Sequence, residues 1–106
     1  MKVPTEIKPA VSVIIPTYNR EGTLLRAVNS VLSQSFTDLE LIVVDDGSTD
    51  HTRELVESIK DNRLRYIYQK NAGACAARNK GIDAAEGEFI AFQDSDDVWL
   101  KEKLAR

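Results

Sequence analysis

The stretch Val11-Ser12-Val13-Ile14-Ile15-Pro16 decides the class of fold, because it is an almost continuous run of β-branched residues. Strands of a parallel sheet are covered on both faces, so they appear in a sequence as unbroken apolar runs. We therefore predict a fully buried central strand at residues 11–15. Pro16 lacks an N–H for the strand ladder and is expected to end it, and Asn19 is expected to cap the helix that follows.

Helices and strands alternate along the rest of the chain. Apolar residues at intervals of three and four predict helices at residues 21–34 and 50–60. A third helix, at residues 74–85, is rich in Ala and Gly, so its backbone can approach a sheet closely. A last, shorter helix is predicted from residue 98. Residues 1–10 show no usable period and are expected to form an extended leader.

Apolar runs predict three further strands, at residues 39–44, 65–69 and 88–93. Alternating strands and helices predict an α/β fold, a Rossmann-like parallel sheet with flanking helices and right-handed crossovers. All strands of such a sheet end on one edge, which is where ligands bind. Four loops are expected to meet there: residues 16–20, 45–48, 69–73 and 93–97.

The last of these loops is acidic, with Asp94, Asp96 and Asp97 directly after an apolar strand. Carboxylates so close together repel one another unless a cation lies among them, and oxygen ligands suit Mg²⁺ or Mn²⁺. The residues alone leave a second interpretation open, in which Asp96 or Asp97 caps the short helix that follows.

Composition limits the classes of function. The chain has 106 residues, which fits one small domain, and 42% of them are hydrophobic. Its net charge of -3, without a dense Lys/Arg cluster, argues against nucleic acid as a partner. No apolar run approaches the roughly 20 residues of a membrane segment, and there is no signal peptide, so a cytoplasmic location is expected. The single Cys75 cannot form an intrachain disulfide and is expected to fill the core beneath the third helix.

Common phosphate-binding motifs are missing. The first strand is not followed by Gly-x-Gly-x-x-Gly, and there is no Gly-x-x-x-x-Gly-Lys-Ser/Thr loop. An acidic crevice can still hold a diphosphate if a divalent cation bridges carboxylate and phosphate oxygens. The pattern therefore favours a site for a nucleoside diphosphate.

Four motifs follow one another along the chain: Val11-Ser12-Val13-Ile14-Ile15-Pro16-Thr17-Tyr18-Asn19, Asp45-Asp46-Gly47-Ser48-Thr49-Asp50, Asn71-Ala72-Gly73 with Ala77-Arg78-Asn79-Lys80-Gly81, and Asp94-Ser95-Asp96. Together they resemble the inverting GT-A glycosyltransferases of family 2, and the resemblance covers nearly the whole chain from Val11 to Trp99. Residues 11–106 would then be the N-terminal, nucleotide-sugar-binding part of a GT-A domain.

The resemblance implies a role for each matching residue. Tyr18 would stack on the base, Asp46 would accept a hydrogen bond from it, and Arg78 would face the phosphates or the ribose. Asp96 would ligate Mn²⁺ or Mg²⁺, with Asp94 on the ribose or on a metal-bound water. The substrate-binding residues implied are Pro16, Thr17, Tyr18, Asn19, Glu21, Asp46, Gly47, Arg78 and Asp94, and the metal ligands implied are Asp96 and Asp94.

The resemblance also implies a reaction and its partners. A sugar would pass with inversion from a nucleotide-diphospho-sugar, with UDP as the expected nucleotide, to the hydroxyl of a carbohydrate or lipid-linked acceptor. The family's general base lies well beyond the Asp-x-Asp motif, so we expect a longer natural protein that supplies it after Arg106. Without that residue this chain would be inactive alone. An exposed sheet edge makes a homo-oligomer possible.

Two other functions remain open at this point. The chain could be a catalytically incomplete nucleotide-sugar-binding or regulatory module. A phosphatase of the haloacid-dehalogenase type also carries Asp-x-Asp, but after its first strand, whereas here the motif follows the fourth. Among the site residues, Arg78 could instead be a solvated residue paired with Asp83 or Glu86, and Asp45 could cap the second helix or bond to the first loop.

Overall fold

The computed structural model of the chain describes residues 9–93. The first eight residues of the predicted leader, the acidic residues 94–97 and the helix predicted from residue 98 lie outside this range. The elements are β1 (Val11–Thr17), α1 (Leu24–Leu32), β2 (Leu39–Asp45), α2 (Thr52–Glu57), β3 (Leu64–Tyr68), α3 (Ala74–Ala84) and β4 (Phe89–Phe92). The helices are shorter than predicted: α1 and α2 begin later and end earlier, and α3 ends one residue earlier.

The four strands form one parallel sheet in the order β3-β2-β1-β4. Side chains of β1 and β2 pack on one face with α1 and α2, around Val13, Ile15, Leu41, Val43, Leu24, Val28, Val31 and Val56. On the other face Ile14, Ile42 and Val44 pack with Ala77 of α3. The predicted α/β class, a Rossmann-like parallel sheet with flanking helices, is confirmed. The longest described helix has 11 residues, and none of the described helices is long and apolar enough to cross a membrane.

Strand β1 does not end at Pro16, and that prediction was wrong. It continues to Thr17, with Pro16 opposite Val44 of β2. Residues of a parallel strand bond alternately to the two neighbouring strands. The Thr17 carbonyl accepts from the Asp46 N–H, which follows β2, and the Ile14 carbonyl accepts from the Gln93 N–H, which follows β4. Pro16 is two residues after Ile14, so its nitrogen faces β4 as well. Because β4 ends at Phe92, opposite Ile14, the missing N–H breaks no described ladder bond.

Helix α3 lies very close to the sheet, as its small residues predict. A Cβ added to Gly81 would lie 2.5 Å from the Cγ2 atom of Ile14, so a larger residue there would push the helix away. Ala77, four residues earlier on the same helical face, is fully buried. Cys75 lies on a different face and is exposed, so its prediction as core filler was wrong.

A buried polar network lies under the start of β4, and the sequence analysis missed it. Glu40 of β2 accepts hydrogen bonds from the Ser12 hydroxyl (2.6 Å), the Glu86 N–H (2.6 Å) and the Arg65 guanidinium (2.9 Å). The Ser12 hydroxyl in turn accepts from the Gly87 N–H at 2.7 Å. Burial alone would raise the pKa of Glu40, but these donors outweigh it and the pKa is lowered. The network joins three strands to the α3–β4 turn.

We expect Glu40→Gln to lower the free energy of unfolding by about 2–3 kcal/mol, because a neutral amide points N–H groups at donors that now bind a carboxylate. Urea unfolding followed by circular dichroism measures this change. Glu57→Gln is the matched control, because Glu57 pairs with Arg53 on the exposed surface, where a change within about 0.5 kcal/mol is expected. Equal losses in the two variants would contradict the structural role of Glu40.

Candidate functional site

Three loops contact one another at the carboxyl edge of the sheet. We call residues 18–23 the first loop, residues 46–51 the second and residues 69–73 the third, since they follow β1, β2 and β3. The Asp46 N–H donates to the Thr17 carbonyl at 2.8 Å, and the Gln69 N–H donates to the Asp45 carbonyl at 2.9 Å. These bonds continue the strand pairing into the loops. A fourth loop begins after β4, and its residues from Asp94 onward lie outside the described range.

The carboxylate of Asp46 joins the second loop to the third. Its Oδ1 accepts from Gln69 Nε2 and the Ala72 N–H, both at 2.8 Å. Its Oδ2 accepts from the Gly73 N–H at 2.9 Å and from Asn71 Nδ2 at 3.2 Å. Four donors thus surround a side chain that is only 5% exposed. Ala72 and Gly73 directly precede α3, so the carboxylate also lies at the N-terminus of that helix, where negative charge is favoured.

These donors keep Asp46 ionised. Burial alone would raise its pKa, but the hydrogen bonds from the Gln69 side chain and from the Ala72 and Gly73 N–H groups outweigh burial and lower it. The backbones of the two loops also touch. Gly47 has a φ of 82°, and a Cβ at that position would lie 2.7 Å from the Asn71 nitrogen. Residue 47 therefore has to be glycine for the loops to meet in this way.

Asp45 has a different role from its neighbour. It is fully buried, and its carboxylate accepts from the Ser48 N–H at 2.9 Å and from the Tyr66 hydroxyl. Burial, and then the hydrogen bond to Asp45 and its charge, raise the pKa of Tyr66. Among the described residues, the Asp45 carboxylate bonds to the second loop and to β3. It does not bond to the first loop, and it does not cap α2. Asp50 binds the start of α2 instead, through the Thr52 N–H.

Asn19 joins the first loop to the second and does not cap α1, which corrects the sequence-based prediction. Its Oδ1 accepts from the N–H groups of Thr49 (2.8 Å) and Asp50 (3.3 Å), and its own N–H donates to Ser48 Oγ at 2.8 Å. Helix α1 begins after Thr23, which makes no side-chain capping bond.

The other predicted site residues near this point lie at the end of β1 or in the first loop, and they differ in exposure. Thr17 is buried, and its hydroxyl has no hydrogen-bond partner among the described residues. Pro16 is partly buried. Tyr18, at the start of the first loop, is 48% exposed. Glu21 is exposed, with its carboxylate 3.3 Å from His51 Nδ1.

Arg78 lies one turn into α3 and is exposed. Among residues 9–93 neither Asp83 nor Glu86 forms an ion pair with it. The sequence analysis gave no role to Gln69 or to the side chain of Asn71, although an amide next to the end of a strand was a signal available for both. No group of three His, Cys, Asp or Glu side chains within the described range could hold a metal ion.

Comparison with known proteins identifies the family. The model of the family described as "Glycosyl transferase family 2" matches residues 12–106, which is most of the chain and includes all the loops named above. The chain belongs to glycosyltransferase family 2. This membership confirms the resemblance seen in the four motifs. It also decides against the haloacid-dehalogenase type of phosphatase. The family is one of enzymes.

Relatives within the family agree with this assignment. The chain is 45% identical over 95 residues to the Escherichia coli UDP-Glc:alpha-D-GlcNAc-diphosphoundecaprenol beta-1,3-glucosyltransferase WfgD, a match that covers 89% of this chain and 38% of WfgD. S. aureus TarS 1-349 in complex with UDP-GlcNAc has a TM-score of 0.81 and 41% identity over 93% of this chain and 29% of the TarS 1-349 chain. The mannosyltransferase PcManGT from Pyrobaculum calidifontis, in complex with GDP-Man and Mn²⁺, has a TM-score of 0.77 and 31% identity over 88% of this chain and 29% of that protein.

These family members are much longer than the matched region. The chain spans 16%, 42% and 16% of the length of the first three curated relatives that it matches. What the comparisons establish for this chain is therefore its family and its GT-A fold.

We expect Asp46→Asn to loosen the third loop, because an amide nitrogen would face two of the four N–H donors. Amide hydrogen exchange at Ala72 and Gly73 should become about 10- to 100-fold faster, which corresponds to about 1.4–2.8 kcal/mol. Asp83→Asn makes the same chemical change on the exposed surface of α3 and should leave both amides unchanged. Equal exchange in all three proteins would contradict the role assigned to Asp46.

The lowered pKa of Asp46 also predicts how this loop depends on pH. A carboxyl with a lowered folded-state pKa contributes stability that is fully present above its ordinary pKa of 3.8 and is lost as the pH falls through the folded-state value. Protection of the Ala72 and Gly73 amides, corrected for intrinsic exchange, should therefore stay constant from about pH 5 to 8. A loss of protection centred near neutral pH would show that another group controls the loop.

Proposed function

We propose that this chain supplies the donor site of an enzyme that transfers a sugar from a UDP-sugar to an acceptor hydroxyl with inversion. The observation that carries the proposal is the contact of three loops at the carboxyl edge of the sheet, with the ring of Tyr18 exposed beside them. Family membership makes a glycosyl donor the expected ligand of this edge. A relative that has been crystallised with UDP-GlcNAc supports uracil as the base.

Each proposed contact uses a group that lies at this edge. The exposed ring of Tyr18 is available for stacking on the base, an interaction of about 1–3 kcal/mol in nucleic-acid platforms. Asp46 remains ionised and so accepts hydrogen bonds only, which suits an N–H of the base. Two of its four donors are the side-chain amides of Gln69 and Asn71, and an N–H of the base would replace one of these, because a side chain can turn away and a backbone N–H cannot. We assign Pro16 and Gly47 to the backbone that would line the donor, and Glu21 to the outer part of the same site.

Three further residues are proposed to contact the donor: Thr17, Arg78 and Asp94. Thr17 holds the edge through its carbonyl, which accepts from the Asp46 N–H at 2.8 Å, and its contact with the donor stays a prediction from the sequence. Arg78 is exposed on α3, and none of the described acids neutralises it, so its charge is available for a phosphate or for the ribose. Asp94, as a ribose contact, stays a prediction from the sequence.

We place a divalent cation, Mn²⁺ or Mg²⁺, at the loop after β4. In the described loops Asp45, Asp46 and Asp50 already accept hydrogen bonds from protein donors, so these carboxylates are poorly suited to a cation. Asp96 and Asp94 would hold it, since β4 is parallel to β1 and ends on the same edge. When bound, the cation would supply charge stabilisation to the departing diphosphate. A relative that contains Mn²⁺ supports this assignment.

The proposed reaction forms one bond and breaks another at the anomeric carbon. The acceptor oxygen bonds to that carbon from the face opposite the diphosphate, and the carbon–oxygen bond to the diphosphate breaks, which inverts the configuration. The proton of the acceptor hydroxyl passes to a general base. We place that base after Arg106, as the family resemblance implies. The acceptor is proposed to be a carbohydrate or lipid-linked sugar, because WfgD is named for a diphosphoundecaprenol acceptor.

Titration of the intact protein with UDP, with and without Mn²⁺, tests the proposal. Binding should require the metal and should weaken at least about tenfold in Asp96→Ala, because the cation would lose a ligand that balances its charge. Asp83→Ala, an acid removed from the outer surface of α3, is the control and should bind as the parent does. Metal-independent binding, or release of inorganic phosphate from UDP, would count against a glycosyltransferase donor site.

A further inference from the structure

We infer that Asn19 is a positioning residue that acts on the donor through Tyr18, and that its amide oxygen does not contact the donor. The inference rests on the proposed function, because it takes the exposed ring of Tyr18 as the surface on which the base stacks. It differs from the role that the family resemblance implies, in which Asn19 lines the pocket itself.

The amide oxygen of Asn19 is already used within the protein. Oδ1 accepts from two consecutive backbone N–H groups of the second loop, those of Thr49 at 2.8 Å and Asp50 at 3.3 Å. The Thr49 hydroxyl lies 3.5 Å from the same oxygen. A side-chain oxygen with these donors has no remaining lone pair directed at a ligand.

The backbone of Asn19 is also held in an unusual conformation. Its φ is 51°, the only positive φ of a non-glycine residue in the described part of the chain. Asparagine tolerates this left-handed region better than most residues. Its N–H donates to Ser48 Oγ at 2.8 Å, so the backbone and side chain of the residue both bond to the second loop.

These bonds fix the chain on both sides of Tyr18. On one side, the Thr17 carbonyl accepts from the Asp46 N–H at 2.8 Å. On the other side, Asn19 makes its bonds to Ser48, Thr49 and Asp50. Two residues further on, the Glu21 N–H donates to Asp50 Oδ2 at 3.2 Å.

The ring between these fixed points is half exposed. A flat apolar group on a rigid backbone binds a ligand with less loss of conformational entropy than a mobile one. Asn19 is therefore the residue that presents the ring of Tyr18 in a single position. The predicted consequence is energetic coupling between residues 18 and 19.

A double-mutant cycle on UDP binding in the intact protein tests this coupling. Tyr18→Leu should weaken UDP binding about 5- to 100-fold, and it keeps enough apolar contact for binding to stay measurable. Asn19→Ala should weaken UDP binding about 5- to 10-fold. If Asn19 acts only through the ring, the double variant should bind UDP no more weakly than Tyr18→Leu, within about twofold.

Two further variants separate positioning from general destabilisation. Asn19→Asp retains an acceptor oxygen and tolerates a positive φ, so at moderate salt it should bind UDP within about threefold of the parent. Asn29→Ala removes an exposed asparagine from α1, away from the loops, and should leave the affinity unchanged. Amide exchange at Thr49 and Asp50 should be faster in Asn19→Ala, while exchange at Ala72 and Gly73 stays as in the parent.

The outcomes distinguish this inference from the function on which it rests. If the parent binds no UDP, the proposed function fails and the inference fails with it. If the parent binds UDP and Asn19→Ala weakens binding as much in the Tyr18→Leu background as with Tyr18 intact, only the inference is overturned, since Asn19 then contacts the donor or supports the whole edge. Failure of Asn19→Asp to restore affinity would overturn it in the same way.

Discussion

The Asp46 carboxylate, which accepts hydrogen bonds from four N–H groups, is the interaction on which the carboxyl edge depends. Strand pairing ends with the strands, so the loops beyond need other bonds to hold their relative positions. A buried carboxylate has to be surrounded by donors, because an ionised group without them is costly to bury. Here those donors come from the third loop, while the N–H of Asp46 itself bonds to β1. One residue thereby connects the ends of three strands.

The fold could be predicted from the sequence because its signals are local. Runs such as residues 11–15 and 39–44 are apolar without alternation, which is typical of strands buried on both faces. The spacing of Gly81 and Ala77 agrees with the close approach of α3 to the sheet. The position of the site also followed from topology, because the loops after parallel strands share one edge.

The contacts within the site could not be predicted in this way. Helix α3 is rich in small residues on several faces, so its sequence lacks the periodicity that would have placed Cys75 on the exposed side. Asn19 precedes a helical pattern, and a local rule assigns it a cap, whereas its partners lie about 30 residues away in the second loop. In the sequence, Glu40 is one polar residue in an apolar strand. Its partners come from β1, β3 and the turn before β4, and only the folded structure brings them together.

The bonds of Asp46 also bear on the cation that we propose at this edge. Many α/β proteins bind phosphate at the N-terminus of a helix that follows a strand, using free N–H groups and the helix dipole. At α3 the Ala72 and Gly73 N–H groups already bind Asp46, and a second anion at that place would be repelled by the carboxylate. In the proposed donor site, the charge of the diphosphate is therefore met by cationic groups, namely Arg78 and a divalent ion held by Asp94 and Asp96. A glycine-rich phosphate loop and an acidic metal motif are alternative solutions to the same electrostatic problem, and the position of Asp46 favours the second.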